Sequence, residues 1–169
     1  HQREFQAPAS ELAALLSTLS SKEDLLWPYE EWPRMRLKPE LAVGANGGHG
    51  PVRYRVEHFD PSGDVAFRFT GPSGFDGWHA FKVRELSPER SLLEHELRMR
   101  ARGWALMTWP LFFRPLHDAL LEEAFDKAAR QLGMPPHDPF RRGPWVRLLR
   151  GVSMRIGRPP RAMNSDGSP

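Results

Sequence analysis

The 169-residue chain contains no cysteine. That absence removes a disulfide framework, a thiolate metal site and a cysteine nucleophile, and it fits a reducing compartment such as the cytoplasm. Long apolar runs are missing as well: none approaches the ~18 residues a spanning helix needs, and no secretory leader is expected. Neither HExxH nor GxxxxGK[ST] occurs, so neither a zincin-type metal site nor a phosphate-cradling loop is indicated. Acidic residues are scarce in one region. Residues 134–169 hold seven arginines (141, 142, 147, 150, 155, 158 and 161) against Asp138 and Asp166, a net +5, whereas residues 1–133 hold 17 basic and 19 acidic residues, a net −2. The pI of about 9.7 therefore belongs to the tail. The body lacks the basic excess that nucleic-acid binding requires, and no nucleic-acid partner is expected.

What is present is an ordinary globular composition, 40% hydrophobic and 27% charged, in a chain long enough to bury a real core. The pattern divides it into one folded unit, residues 1–133, and a basic Pro/Arg-rich extension, residues 134–169. Arg3–Gln6 reads as a short strand. Pro8 is suited to opening a helix, and Leu12, Leu15, Leu16 and Leu19 recur at i, i+3, i+4 and i+7, one helical face. Trp27-Pro28 and Trp32-Pro33 flank an irregular stretch, because a residue before proline is pushed out of the α region. Met35–Val43 is a weaker strand candidate, and the glycines of Gly44–Gly50 predict a loop.

Four clearer strands follow: Pro51–Phe59, Asp64–Thr70, Trp78–Leu86 and Leu92–Ala101. Each alternates, with a charged outer face and an inner face carrying Val52, Tyr54, Val56 and His58; Val65, Phe67 and Phe69; His79, Phe81 and Val83; Leu93, His95, Leu97 and Met99. Short links such as Asp60-Pro61-Ser62-Gly63 make the pairing antiparallel. Regular hairpins place Tyr54, Phe69, His79 and Met99 in one layer, and His58, Val65, Val83 and His95 in another. A long amphipathic helix over 110–132 closes the order, with Pro115 as a kink or a later start and Gly133 as its C-cap.

A strand, an early helix, a run of antiparallel strands and a closing helix make an α+β helix-grip order. With the stretches GGHGPVRYRVEHF (47–59), FRFTGPSGFDGWHAF (67–81) and PLHDALLEEAFD (115–126), the chain resembles the SRPBCC superfamily over roughly residues 3–132. That group includes START domains, birch-pollen-allergen-like proteins and polyketide cyclases, and more narrowly the chain is similar to its actinobacterial members. The resemblance implies a curved sheet around a C-terminal helix with an internal cavity, and a hydrophobic small-molecule ligand. It carries no fixed catalytic motif, and one such fold hosts many chemistries.

The candidate chemistry therefore comes from the inner face. His58, His79 and His95, with Tyr54, are candidate general acids and bases for enolising or dehydrating a carbonyl-rich ligand, since imidazole titrates near neutrality. The plainer reading of each is a core or rim histidine partnered by backbone or water. Phe67, Phe69, Trp78, Phe81, Leu97, Met99 and Trp104 are the candidate apolar walls. His117 opens the closing helix and projects into the cavity if it faces the sheet; His49 is placed at the cavity mouth. No metal site and no cofactor is expected. In the tail, Pro144–Ile156 reads as a short amphipathic segment that either lies on an anionic membrane or packs back on the body, the second being favoured. The leading expectation is a cytoplasmic binder of a hydrophobic or aromatic small molecule. The alternatives are a polyketide cyclase or dehydratase-type enzyme and a membrane-associated lipid-binding accessory protein.

Overall fold

The computed structural model of the chain describes residues 1–156; Arg158–Pro169, whose composition suggests disorder, falls outside the described residues. Seven strands form one antiparallel sheet in the order β1-β7-β6-β5-β4-β3-β2. In chain order these are β1 (Gln2–Phe5), β2 (Arg36–Lys38), β3 (Asn46–His49), β4 (Val52–Asp60), β5 (Asp64–Gly71), β6 (Phe75–Ser87) and β7 (Arg90–Ala101). Helix α1 (Ala9–Ser17) follows β1. After β7 the chain runs through a short helix α2 (Ala105–Thr108), a π-helical turn (Trp109–Phe113) and the long α3 (Arg114–Gln131); α4 spans Pro144–Ile156. This is the helix-grip arrangement expected from the pattern.

Two elements depart from the expectations. The glycine run is not a loop. Within it, β3 pairs with both β2 and β4. A Cβ on Gly47 would lie 1.8 Å from the Arg36 carbonyl oxygen and one on Gly48 2.0 Å from that of Val52, so the glycines serve close approach of three backbones. The closing helix is also not uniform. Pro115 has no N–H to offer the carbonyl of Leu111, four residues back, and the π turn sits at that break. The freed Leu111 carbonyl accepts a hydrogen bond of 2.9 Å from the Trp145 indole N–H, which fastens α4 to the turn.

The core lies between the inner sheet face, α1 and α3. Leu12, Leu16, Val65, Phe81, Leu93, Leu121 and Phe125 are all essentially sealed from solvent. The irregular tryptophan–proline stretch is held on α3 by a buried cation: Lys127 Nζ donates to the Asp24 carbonyl at 2.9 Å, the Trp27 carbonyl at 2.8 Å and Glu30 Oε1 at 2.8 Å. That anchor sets Trp27 against His49 of the glycine strand, with ring centroids 4.6 Å apart. Residues 134–156 return to the body through ion pairs from Arg142 to Glu123 and from Arg150 to Glu31, and through Val146 and Leu149.

Candidate functional site

At one end of the sheet–helix interface the packing opens into a cavity of about 90 Å³. Strands β3 and β4 contribute His49 and Val52, β5 and β6 contribute Phe69, Phe75 and His79, and β7 contributes Leu97. The roof is Trp109 and Phe113 of the π turn with Leu116, His117 and Leu120 of α3. The outer rim is Gly50-Pro51, both exposed, on one side and the half-buried Trp109 and Phe113 on the other.

Its polar content is a file of imidazoles. His79 Nδ1 lies 3.2 Å from His95 Nε2, a hydrogen bond between two buried rings. The His95 ring centroid is 5.0 Å from that of His117, and His117 Nδ1 reaches Asp118 at 3.2 Å toward the surface. Behind His79 stand Tyr54, edge-on at 5.2 Å, and Phe67, stacked at 4.9 Å. Beyond Tyr54, His49 rests against Trp27 with centroids 4.6 Å apart. Burial, with repulsion from His117 and from each other's neighbours added, pushes His79 and His95 well below their ordinary 6.5, so both are neutral at pH 7. Desolvation, with His117 and Arg53 nearby, takes His49 down to about 3. Tyr54 is driven the other way, well above 10, chiefly by its complete burial. It stays protonated and can act as a donor.

Among the described residues, three buried polar atoms in this neighbourhood have no hydrogen-bond partner: Tyr54 Oη, His95 Nδ1 and His117 Nε2. Buried polar atoms in folded proteins normally find one. Of the three residues His117 lines the cavity, while Tyr54 and His95 stand behind its wall in ring contact with His79, so hydrogen-bonding capacity is left unspent at and just behind the cavity.

The inner-face reading holds for His79, His95, Tyr54, Phe67, Phe69, Phe81 and Leu97, all of which stand on the concave side. Of these, His79, Phe69 and Leu97 line the cavity itself, while Phe67 and Phe81 are core behind it. His117 does face the sheet and lines the cavity. Met99 lies opposite Gly77, half-buried and outside the lining.

Four expectations are corrected. His58 is exposed, because β4 carries a bulge between Val56 and His58: Val56 pairs with Phe67 but His58 with Ala66. The extra residue, Glu57, flips the alternation, and Phe59 takes the inward position instead. Trp78 is on the outer face, its ring under Arg98 at 5.7 Å. Trp104 is 84% exposed and stands outside the cavity. The predicted layers also slip by two residues between β5 and β6, since Phe67, not Phe69, pairs with His79. A two-residue slip keeps every side chain on its face but changes its partners. The same two-residue slip between β6 and β7, where His79 pairs with Leu97 and Phe81 with His95, turns His79 and His95, placed by the regular register at opposite ends, into hydrogen-bonded neighbours. Trp109, one of the tryptophans the sequence offered as a stacking wall, does line the cavity, whereas sequence reasoning missed Phe75 and Phe113. The phenylalanine cluster beside Pro110 and Pro115 was the available signal. Elsewhere, His1, His117 and Asp118 bring ligand-type atoms within 4.8 Å of one another among the described residues, but they are already hydrogen-bonded together.

No family model and no curated protein matches the chain. Solved structures do. CalU16 from Micromonospora echinospora aligns with a TM-score of 0.56 at 14% identity, over 92% of this chain and 82% of that one. A Thermobifida fusca protein solved by NMR aligns with a TM-score of 0.59 at 15% identity, over 81% and 95%. Norcoclaurine synthase from Thalictrum flavum, in complex with dopamine and hydroxybenzaldehyde, aligns with a TM-score of 0.58 at 12% identity, over 80% and 86%. At such identities the likeness speaks for the fold alone, and together with the strand order, the closing helix and the cavity between them it identifies the chain's architecture as a helix-grip fold.

Proposed function

We propose that the protein binds a small hydrophobic or aromatic molecule bearing at least one polar group, in the cavity between the sheet and α3, with His79, His95, His117 and Tyr54 as its polar anchors. The observation that carries this reading is an aromatic-walled cavity lined by His79 and His117, with the partnerless His117 Nε2 at its wall and the partnerless His95 Nδ1 and Tyr54 Oη on residues just behind it. An apolar lining with a few convergent polar groups is the usual make-up of a ligand site. The cavity as it stands, about 90 Å³, is smaller than the ~150 Å³ that accepts benzene and the ~300–1,000 Å³ of drug-sized sites. Entry therefore requires the Trp109–Phe113 turn to move, and its π-helical, proline-flanked backbone is the least regular part of the roof. Norcoclaurine synthase, which shares the fold, holds two aromatic molecules, and this supports the aromatic class. The lack of cysteine fits a cytoplasmic site of action.

A second reading is favoured by one further observation. The rings of His79, His95 and His117 lead in sequence from the cavity to the exposed carboxylate of Asp118. Imidazoles in such a file can pass a proton, and Tyr54 can donate to a carbonyl. This is the arrangement a cyclase or dehydratase-type enzyme needs, with His58 taking no part.

Native mass spectrometry of protein purified gently from its host, beside a Leu97→Trp variant that fills the cavity, tests the binding reading. A co-purifying small molecule present in the wild type and lost in the variant is the expected result. Each protein at the mass of its own bare chain, with neither gaining mass on addition of phenol or hydroxybenzaldehyde, would overturn it.

A further inference from the structure

Outside the cavity, the most conspicuous feature is a continuous apolar surface at the α2–π turn–α4 corner. Trp104, Met107 and Leu111 recur at i, i+3 and i+7 and are 84%, 58% and 47% exposed. Trp145, Leu148 and Val152 repeat the same spacing on α4 and are 47%, 58% and 51% exposed. The two stripes are joined. The Trp145 indole donates to the Leu111 carbonyl, and its ring lies 6.3 Å from that of Phe112. Helix α4 thus has two apolar faces: Val146 and Leu149 turn to the body, while the other face meets solvent. A folded monomer gains nothing from exposing such a strip, and exposed apolar clusters of this kind mark interaction surfaces.

The two chain segments that carry it hold charge of one sign, although Arg98 and Arg142 are paired by Glu96 and Glu123 from outside them. Residues 97–117 contain four arginines (98, 100, 102 and 114) and no acidic residue; residues 139–156 contain five (141, 142, 147, 150 and 155) and none. Some are engaged from outside these segments, Arg102 by Asp76, Arg114 by Asp118, and Arg142 and Arg150 by Glu31. Arg141 and Arg147 have no ion pair among the described residues. Tryptophan and leucine on one helical face, arginine beside them and no acid within either segment is the composition of an element that lies in the headgroup region of an anionic bilayer. A second copy of the chain is a poorer occupant, because apposing this face on itself would bring arginine-rich segments together with no acid of their own.

We propose that this face docks on an anionic lipid membrane, with Trp104, Met107, Leu111, Trp145, Leu148 and Val152 entering the interface and the flanking arginines meeting lipid phosphates. The inference does not draw on the cavity reading. Co-sedimentation of the full chain with phosphatidylcholine vesicles, with and without about 30% phosphatidylserine, tests it. Binding is expected only with the anionic lipid, and it should fall roughly tenfold or more in a Met107→Glu, Leu148→Glu double variant. All the altered side chains are exposed, and an unchanged circular dichroism spectrum and melting temperature confirm that the variant folds. Loss of binding in Arg141→Gln, Arg147→Gln at unchanged apolar surface would support the charge half of the proposal. Absence of binding to anionic vesicles, or equal binding by the double variant, overturns it. So does a wild-type dimer in light scattering that the same double variant abolishes without any vesicle binding, since the face would then be a contact between copies.

Discussion

The two ends of the sheet–helix interface are built from similar residue types and finished differently. At the end covered by α1, Leu12, Leu16, Val65, Phe81 and Phe125 interlock with almost no exposure and no polar atom among their side chains. At the end covered by the π turn, Phe69, Phe75, Trp109 and Phe113 stand around a void lined by His79 and His117, and behind that wall lie His95 and the Tyr54 phenol with hydrogen-bonding capacity left over. Close packing is where folding free energy comes from; a gap lined by partnerless polar atoms costs stability. The contrast separates the part of the molecule that holds the fold from the part that is kept open for something else.

That contrast is sharpest at Phe125. Truncation to alanine in the filled half should cost about 3–5 kcal/mol, read as a lower urea midpoint at unchanged slope; a cost below about 1 kcal/mol would show that this half is not tightly packed. Next in size is Lys127→Met, which keeps the stem but leaves the Asp24 and Trp27 carbonyls without their donor. It should lose about 1–3 kcal/mol, and hydrogen exchange should quicken in residues 24–33 first. The cavity end should respond in the opposite way. A His79→Phe, His95→Leu double variant removes both partners of one hydrogen bond together with an orphan nitrogen. Its stability should stay within about 1 kcal/mol of the wild type or rise, while binding of an added phenol is lost.

The smallest effect is in the pH dependence. His79, His95 and His49 have folded-state values below the 6.5 of the unfolded chain. As pH falls below 6.5, the unfolded chain takes up protons that the folded one refuses. Their contribution to stability is thus complete above 6.5 and is lost progressively on acidification. Urea midpoints taken down from neutral pH should decline more steeply in the wild type than in the double variant. Parallel curves would mean that the two imidazoles are not held neutral.

Much of this was legible in the alternation of β4 to β7 and in the leucine spacing of α1, because a period of two with one charged face leaves little choice of side. The errors arose where backbone geometry, not side-chain type, decides. His58 went to the wrong face because a bulge inserts Glu57, and the clue was Phe59, an apolar residue out of phase with Val52, Tyr54 and Val56. The glycine strand was hidden because its residues are selected for what they lack, room for three backbones to meet. His79 and His95 became neighbours through the β6–β7 register, set by the tight Ser87–Arg90 turn and the irregularity between Glu85 and Ser87, which no hydrophobic pattern encodes. The cavity volume depends on sub-ångström approach of rings, which spacing does not carry.

Side-chain nitrogen–proton NMR of the seven histidines during titration with phenol, the smallest probe carrying both an aromatic ring and a hydroxyl, compares the two settings within one experiment. Saturable shifts at His79, His95 and His117, with the exposed His58 and His137 unmoved, are expected if the open end is a ligand site with those imidazoles as its anchors. Shifts absent from those three at saturating probe, or equal at His58 and His137, would contradict it.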